Sequence, residues 1–255
     1  VAQADSRLRR SRLSFALERT MTKHSRQVPQ YTGPLKPSEV AAGINAASHN
    51  AKRLADDAKL LLDNGRFPSA LALAALSIEE TGKAGILRSI GMATTENELK
   101  KRWKEYRSHK SKNALWIVAD LVQQGARKLV DFASMFDPSK DHPQVLDELK
   151  QLSFYTECVR ADHWAQPDKI VEEQLAHSIV QVALRLATGK TVSAEEIEIY
   201  CRHVGPVRNG EPSWIQRAFI NAYAEMQQKG IVPAGPNLAE ELVKGRIGGS
   251  KEKVV

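Results

Sequence analysis

The sequence predicts an all-α helical bundle with a flexible tail at each end, on three observations. Alanine and leucine are abundant while only 6% of residues are aromatic, a composition that favours helices over sheets. Apolar residues recur at helical spacing, and no stretch alternates as a strand would. Capping and stop signals then cut the chain into helix-sized pieces.

Residues 1–36 are polar and basic and end in a Pro/Gly cluster, so they are expected to be a poorly ordered tail. A single helical domain is expected over 37–230. Its first helix runs over 38–64, with Gly65 as the stop. The second opens on Pro68, a good first-turn residue, and continues to about residue 90. Thr95 and Glu98 form a capping box for a third that ends near Arg107. A fourth is expected over 112–135 and a fifth over 143–159. The loop 161–167 precedes a sixth from 168 to Gly189. Ser193 with Glu196 caps a short seventh, and the last spans 212–229 before Gly230. Residues 231–255, with Pro233, Pro236 and Gly248-Gly249, read as a second tail.

The 255 residues are 42% hydrophobic, enough for a sizeable core, and carry a net charge of +7. The charge is uneven. Residues 1–36 hold eight Lys/Arg against two acids, while residues 37–230 balance at 25 of each sign. Any basic surface on the body is therefore local. No apolar run reaches the length of a membrane span, and no apolar stretch follows the basic N-terminus as in a signal peptide. Two cysteines, Cys158 and Cys201, lack metal-ligand spacing and are too few for a disulfide framework. The expected setting is the cytoplasm.

Charge stands out in the second helix, at SIEETGK (77–83). On a helical wheel Ala72, Ala75, Leu76, Ile86 and Ile90 fall within about 60° of Glu79, and Lys83 lies about 40° away. Ser77, Thr81 and Arg88 point to the opposite, expected solvent side. Glu79 and Lys83 thus sit on the apolar stripe with Glu80 at its flank, either as a structural ion pair or as part of a site. Gly82 and Gly85 would let another helix approach closely, which offsets the roughly 0.5–1 kcal/mol each costs in a helix.

The second unusual segment is RWKEYRSHKSK (102–112). If it is one helix, Arg102, Glu105, His109 and Lys112 share a face, with Glu105 placed to accept a hydrogen bond from His109. Arg102 and His109 also fit an Arg-x6-His pattern. A histidine among arginines and lysines suits phosphodiester chemistry, the imidazole as acid or base and the cations on phosphate. RNA supplies its own nucleophile, so no cofactor or metal is required. The same basic run also suits a surface that only binds an acidic partner.

Together the segments resemble the AbiV family of abortive-infection proteins, in the HEPN superfamily of helical domains. The resemblance rests on Glu79-Glu80-x-Gly82-Lys83, on His109-x-x-Lys112, and on LSFYTECVRADHWAQPDKI (152–170), and it covers about residues 38–189. It implies a bacterial anti-phage defence protein, a homodimer, and a toxin that arrests the infected host by RNA cleavage or translation inhibition. Carried over, His109 and Arg102 become the catalytic pair of a metal-independent endoribonuclease. Lys112, Arg107 and Lys110 become phosphate contacts, and Glu79, Glu80, Lys83 and Glu105 a supporting buried network. Trp103 departs from the motif, which usually has a polar residue after the arginine. The competing reading is a helical binding protein whose basic helix docks on RNA, the ribosome or a phage-encoded protein.

Other chemistries find less support. Glu-x-x-His, which di-iron bundles need, does not occur. Cys201 and His203 fall next to a helix-ending Gly205-Pro206, and Asp162 and His163 in a loop.

Overall fold

The structure is a computed structural model that describes residues 30–137, 139–161 and 163–246. Most of the expected N-terminal tail, and residues 247–255, lie outside the described residues. By chain proximity the protein divides into Val1–Gly33 and Pro34–Val255, and all the helices described belong to the second unit.

Helix α1 (Pro37–Asp63) and helix α2 (Phe67–Gly91) form an antiparallel pair. Gly65 turns the chain between them at φ +68°, a conformation that favours glycine. Alanines line their contact: Ala51, Ala55 and Ala58 of α1 meet Ala70, Ala74 and Ile78 of α2, all fully buried. Small side chains at this seam let the two axes approach closely.

Helix α3 (Glu96–Arg107) begins as expected, with the Thr95 hydroxyl accepting from the Glu98 amide at 3.2 Å. A one-turn helix α4 (His109–Lys112) follows, then a 3-10 turn (Asn113–Ile117), α5 (Val118–Gln123) and a second 3-10 segment (Leu129–Phe136). The single helix expected over 112–135 is therefore wrong. Gly125, at φ +102°, breaks it, and Arg127 caps the carbonyls of Val122 and Ala126.

Helix α6 (His142–Phe154) stops one turn earlier than expected. The chain then forms a two-stranded antiparallel hairpin, β1 (Glu157–Arg160) and β2 (His163–Ala165), paired Glu157 to Ala165 and Cys158 to Trp164. The expectation of no strand missed this hairpin, because four residues are too few for alternation to register. The expected sixth helix is split into α7 (Pro167–Ile170) and α8 (Glu173–Leu186). Val171 separates them in extended backbone, with its side chain in the core.

Helices α9 (Ala194–Val204) and α10 (Pro212–Gln228) complete the body. The segment expected as a C-terminal tail carries one more helix, α11 (Leu238–Lys244), capped by Asn237. Asn45 fixes the α8–α9 connection by exchanging two hydrogen bonds with the backbone of Val192, at 2.9 and 2.8 Å.

Helix α2 is central. The first core cluster joins its N-terminal half to α1, α6 and α8 through Leu71, Ile78, Leu146, Ile179 and Val180. The second joins its C-terminal half to α1, α3 and α9 through Val40, Ile86, Ile90, Trp103 and Ile197. This corrects the expected solvent face: Ser77 is fully buried and donates its hydroxyl to the Ala51 carbonyl at 2.7 Å. A helix packed by neighbours on several sides has no polar face there to present.

Gly82 is explained by close approach. A Cβ there would stand 2.0 Å from the backbone oxygen of Lys112, whereas a Cβ at Gly85 meets nothing within 4 Å. Gly82→Ala is expected to lower stability by about 1–3 kcal/mol through overpacking. Gly85→Ala should raise it by about 0.5–1 kcal/mol through helix propensity. Urea denaturation of the two variants checks this, and equal midpoints would contradict the close approach.

Arg208, after the 3-10 turn Gly205–Val207, ties the C-terminal helices to α3 by donating to both Glu98 oxygens at 2.9 and 2.8 Å. The Thr94 amide and this guanidinium hold the Glu98 carboxyl down at about 2, against an ordinary 4.5. A depressed acid stabilises fully above its unfolded value and loses that contribution as pH falls through its folded value. The melting-temperature gap between wild type and Glu98→Gln should thus be widest above pH 4.5 and close by about pH 2.

Candidate functional site

The centre of the site is one buried carboxylate. Glu79 is 4% exposed, in the middle of α2, and two lysines and a histidine converge on it. Lys150 Nζ donates to its Oε1 at 2.5 Å, His109 Nδ1 stands 2.8 Å from its Oε2, and Lys112 Nζ is 3.6 Å from the same oxygen. Lys150 also donates to Asp147 at 2.7 Å. Three helices therefore contribute: α2 the acid, α4 the histidine and Lys112, and α6 Lys150 and Asp147.

This differs from the expected arrangement in two respects. First, Lys83 pairs with Glu80 at 2.7 Å rather than with Glu79, and stacks 5.5 Å above the Tyr106 ring. Glu80 and Lys83 form a separate, half-buried pair, because Glu79 faces the groove where α4 and α6 deliver other cations. Second, residues 102–112 are not one helix. Ser108 closes α3 and opens α4 in extended backbone, at ψ 126°. The shared face of Arg102, Glu105, His109 and Lys112 is broken there. Arg102 instead makes a two-pronged contact to Glu105, at 3.2 and 2.9 Å. His109 turns to Glu79, so Glu105 is not its acceptor.

The bend is held from below. Asn113 is fully buried and donates to the Pro143 carbonyl at 3.1 Å, and Trp116 donates its indole N–H to the His142 carbonyl at 2.8 Å. These bonds fasten the turn after α4 to the start of α6, so His109 and Lys112 reach the acid that Lys150 already holds.

Electrostatics follow from the geometry. A carboxylate paired with the Lys150 ammonium is a hydrogen-bond acceptor, so the His109 Nδ1 carries the proton between them. That leaves Nε2 to give or take a proton on a side chain that is 56% exposed. Burial pulls the Lys112 ammonium below its usual range, with Glu79 opposing. Burial acts the same way on Lys150, but the hydrogen bonds it donates to Asp147 and Glu79 outweigh it and raise its pKa.

Glu79, His109 and Asp147 place three possible metal-ligand atoms within 4.8 Å of one another. The Lys150 ammonium bridges the two carboxylates, so a metal ion entering there would have to displace it.

Of the remaining expected contacts, Arg107 stacks on Trp103 at 5.2 Å and donates to its carbonyl. Lys110 reaches Gln144 at 2.7 Å. Trp103, the departure from the motif, is a core residue at 7% exposure, edge-on to Tyr106. Cys201 is not primed as a nucleophile, since burial raises its thiol, and the His203 imidazole is paired with Glu225 at 2.8 Å.

The family model HEPN_AbiV, described as AbiV, matches residues 39–188, more than half of the protein. The chain belongs to the AbiV family of HEPN proteins. No curated protein and no solved structure matches it. The AbiV match spans α1 to the end of α8 and so contains every residue of the Glu79 cluster. Helices α9 to α11 lie beyond it. Among the described residues no helix is long and apolar enough to cross a membrane.

Sequence reasoning missed Lys150 and Asp147. A signal existed: Leu146, Lys150 and Ser153 lie at steps of four and three, and all are buried. A lysine on that stripe needs an acid from elsewhere in the fold.

Lys150→Met should lower stability by roughly 3–5 kcal/mol, because it leaves a buried carboxylate short of its counter-charge. In a double-mutant cycle with Glu79→Gln, the double variant should lose clearly less than the sum of the two singles. Additive losses would mean that the two groups are not coupled.

Proposed function

We propose that this AbiV-family protein arrests the phage-infected cell by cleaving RNA without a metal, with His109 as acid/base. One observation carries the reading: His109 is oriented through Nδ1 by a buried acid and presents an accessible Nε2 beside a group of cations. In the proposed reaction Nε2 takes the proton of a ribose 2′-hydroxyl. The freed oxygen attacks the adjacent phosphorus, and the 5′-oxygen leaves with a proton from an acid on the far side. Lys112 and Lys110 would contact the phosphate and stabilise its developing charge, with Arg107 farther along the same basic segment.

A homodimer would complete this scheme, as HEPN sites commonly form where two protomers meet. A second copy would supply the second acid or base, and would give Arg102 a role that its own chain, with the bend at Ser108, does not give it.

The pairing of Arg102 with Glu105 instead of with His109 favours a second reading. In it the protein blocks translation by binding RNA, the ribosome or a phage-encoded protein through α3 and α4. Such binding to phosphates would weaken steeply as salt rises.

The deciding experiment incubates purified protein with total bacterial RNA in EDTA, beside His109→Ala. Wild type is expected to cleave, and the variant to be at least about 100-fold slower with its melting transition retained. Equal cleavage by a folded His109→Ala protein would sink the assignment, and no cleavage by wild type would favour the binding reading.

A further inference from the structure

Gly85 has no packing reason within the protein. Its position on α2 is open, with no atom within 4 Å of where a Cβ would stand. Yet a glycine inside a helix costs about 0.5–1 kcal/mol relative to alanine. The open space is a cleft of about 700 Å³, walled by Gly82, Gly85 and Ile86 of α2, by residues of α3 and α4, and by the segment that leads into α6. Ligand sites commonly occupy about 300–1,000 Å³.

The lining has three kinds of chemistry. Ile86, Leu115 and Met135 give an apolar wall next to the bare backbone of Gly85. Lys110, Lys112 and Lys140 bring positive charge, while Arg102 is balanced by Glu105 on the same wall. Asp137 and Asp141 add acceptors at the side formed by the approach to α6. Lys112 is the telling residue. It is 7% exposed, and its ammonium stands 3.6 Å from Glu79, beyond hydrogen-bond length. The ammonium is charge-paired with Glu79, and its N–H donors are also suited to a phosphate brought into the cleft.

We propose that this cleft seats one nucleotide unit, its base against Gly85, Leu115 and Met135 and its phosphate on Lys112 and Lys110. A nucleotide matches all three linings: a flat apolar ring, an edge of N–H donors and ribose hydroxyls for the carboxylates, and a phosphate for the ammoniums. A fatty acid would leave Asp137 and Asp141 facing hydrocarbon. An acidic peptide would meet those same carboxylates with like charge. The assignment rests on the RNA reading above and names the subsite that would seat a residue beside the scissile phosphate. Lys112 belongs to both the cleft and the Glu79 cluster, and so connects bound phosphate to His109.

The test titrates the full chain with the four nucleoside 5′-monophosphates, a short single-stranded RNA and inorganic phosphate. Wild type, Gly85→Ala and Gly85→Leu are compared. A Cβ at this position meets nothing within 4 Å and a longer side chain would extend into the cleft, so Gly85→Ala should keep or raise the melting temperature and Gly85→Leu should stay folded. It should also weaken nucleotide or RNA binding by at least about tenfold. Binding of free monophosphates points to a free nucleotide as ligand, and binding of RNA alone points to a residue within a chain. Either supports the site if Gly85→Leu removes it. Undiminished binding in folded Gly85→Leu overturns the proposal, as does no binding by wild type, or inorganic phosphate binding as tightly as the nucleotides. The catalytic reading fails separately: His109→Ala should keep this binding whether or not cleavage is lost.

Discussion

The bundle is organised around a single negative charge where water is scarce. Glu79 lies midway along the most enclosed helix, and a carboxylate there is tolerable only if cations come to it. Lys150 on α6 makes the closest contact and is itself steadied by Asp147. His109 and Lys112 approach from α4 on the other oxygen. Because the three helices must agree on one point in space, the acid fixes their mutual positions more tightly than apolar packing alone would. Apolar contacts tolerate sliding, whereas a buried ion pair does not.

That constraint explains two local oddities. Gly82 lacks a side chain because the backbone of Lys112 lies against it. The chain breaks its helix at Ser108, since a continuous helix would carry His109 to the Glu105 side and away from Glu79. The bend separates two basic groups with different surroundings. Arg102 on α3 is balanced by Glu105 and partly exposed, while Lys112 on α4 is desolvated and lies near its acid.

The C-terminal helices attach through polar contacts as well as packing. Asn45 pairs with the Val192 backbone, Arg208 with Glu98, and Ile197 joins the cluster around Trp103. These contacts brace α1 and α3, the two helices that flank the second half of α2. Trp103 is part of the frame: its indole is buried in the cluster it shares with α1 and α2, with Arg107 stacked on it.

The helices α1, α2, α3, α9 and α10 were legible in the sequence because their caps and stops are local: Thr95, Ser193, Gly65 and Gly230 act on their own neighbours. The unusual burial of Glu79 was legible for the same reason, since helical periodicity is a short-range property. The residue at position 83 seemed the natural partner because it lies one turn away. What only the tertiary structure decided was the identity of the partners. Lys150 is 71 residues from Glu79 and His109 is 30, and no local rule selects between those and Lys83. The hairpin at 157–165 and the break at Ser108 escaped for a related reason. Each is shorter than the period that would reveal it, and each is set by what it packs against rather than by its own residues.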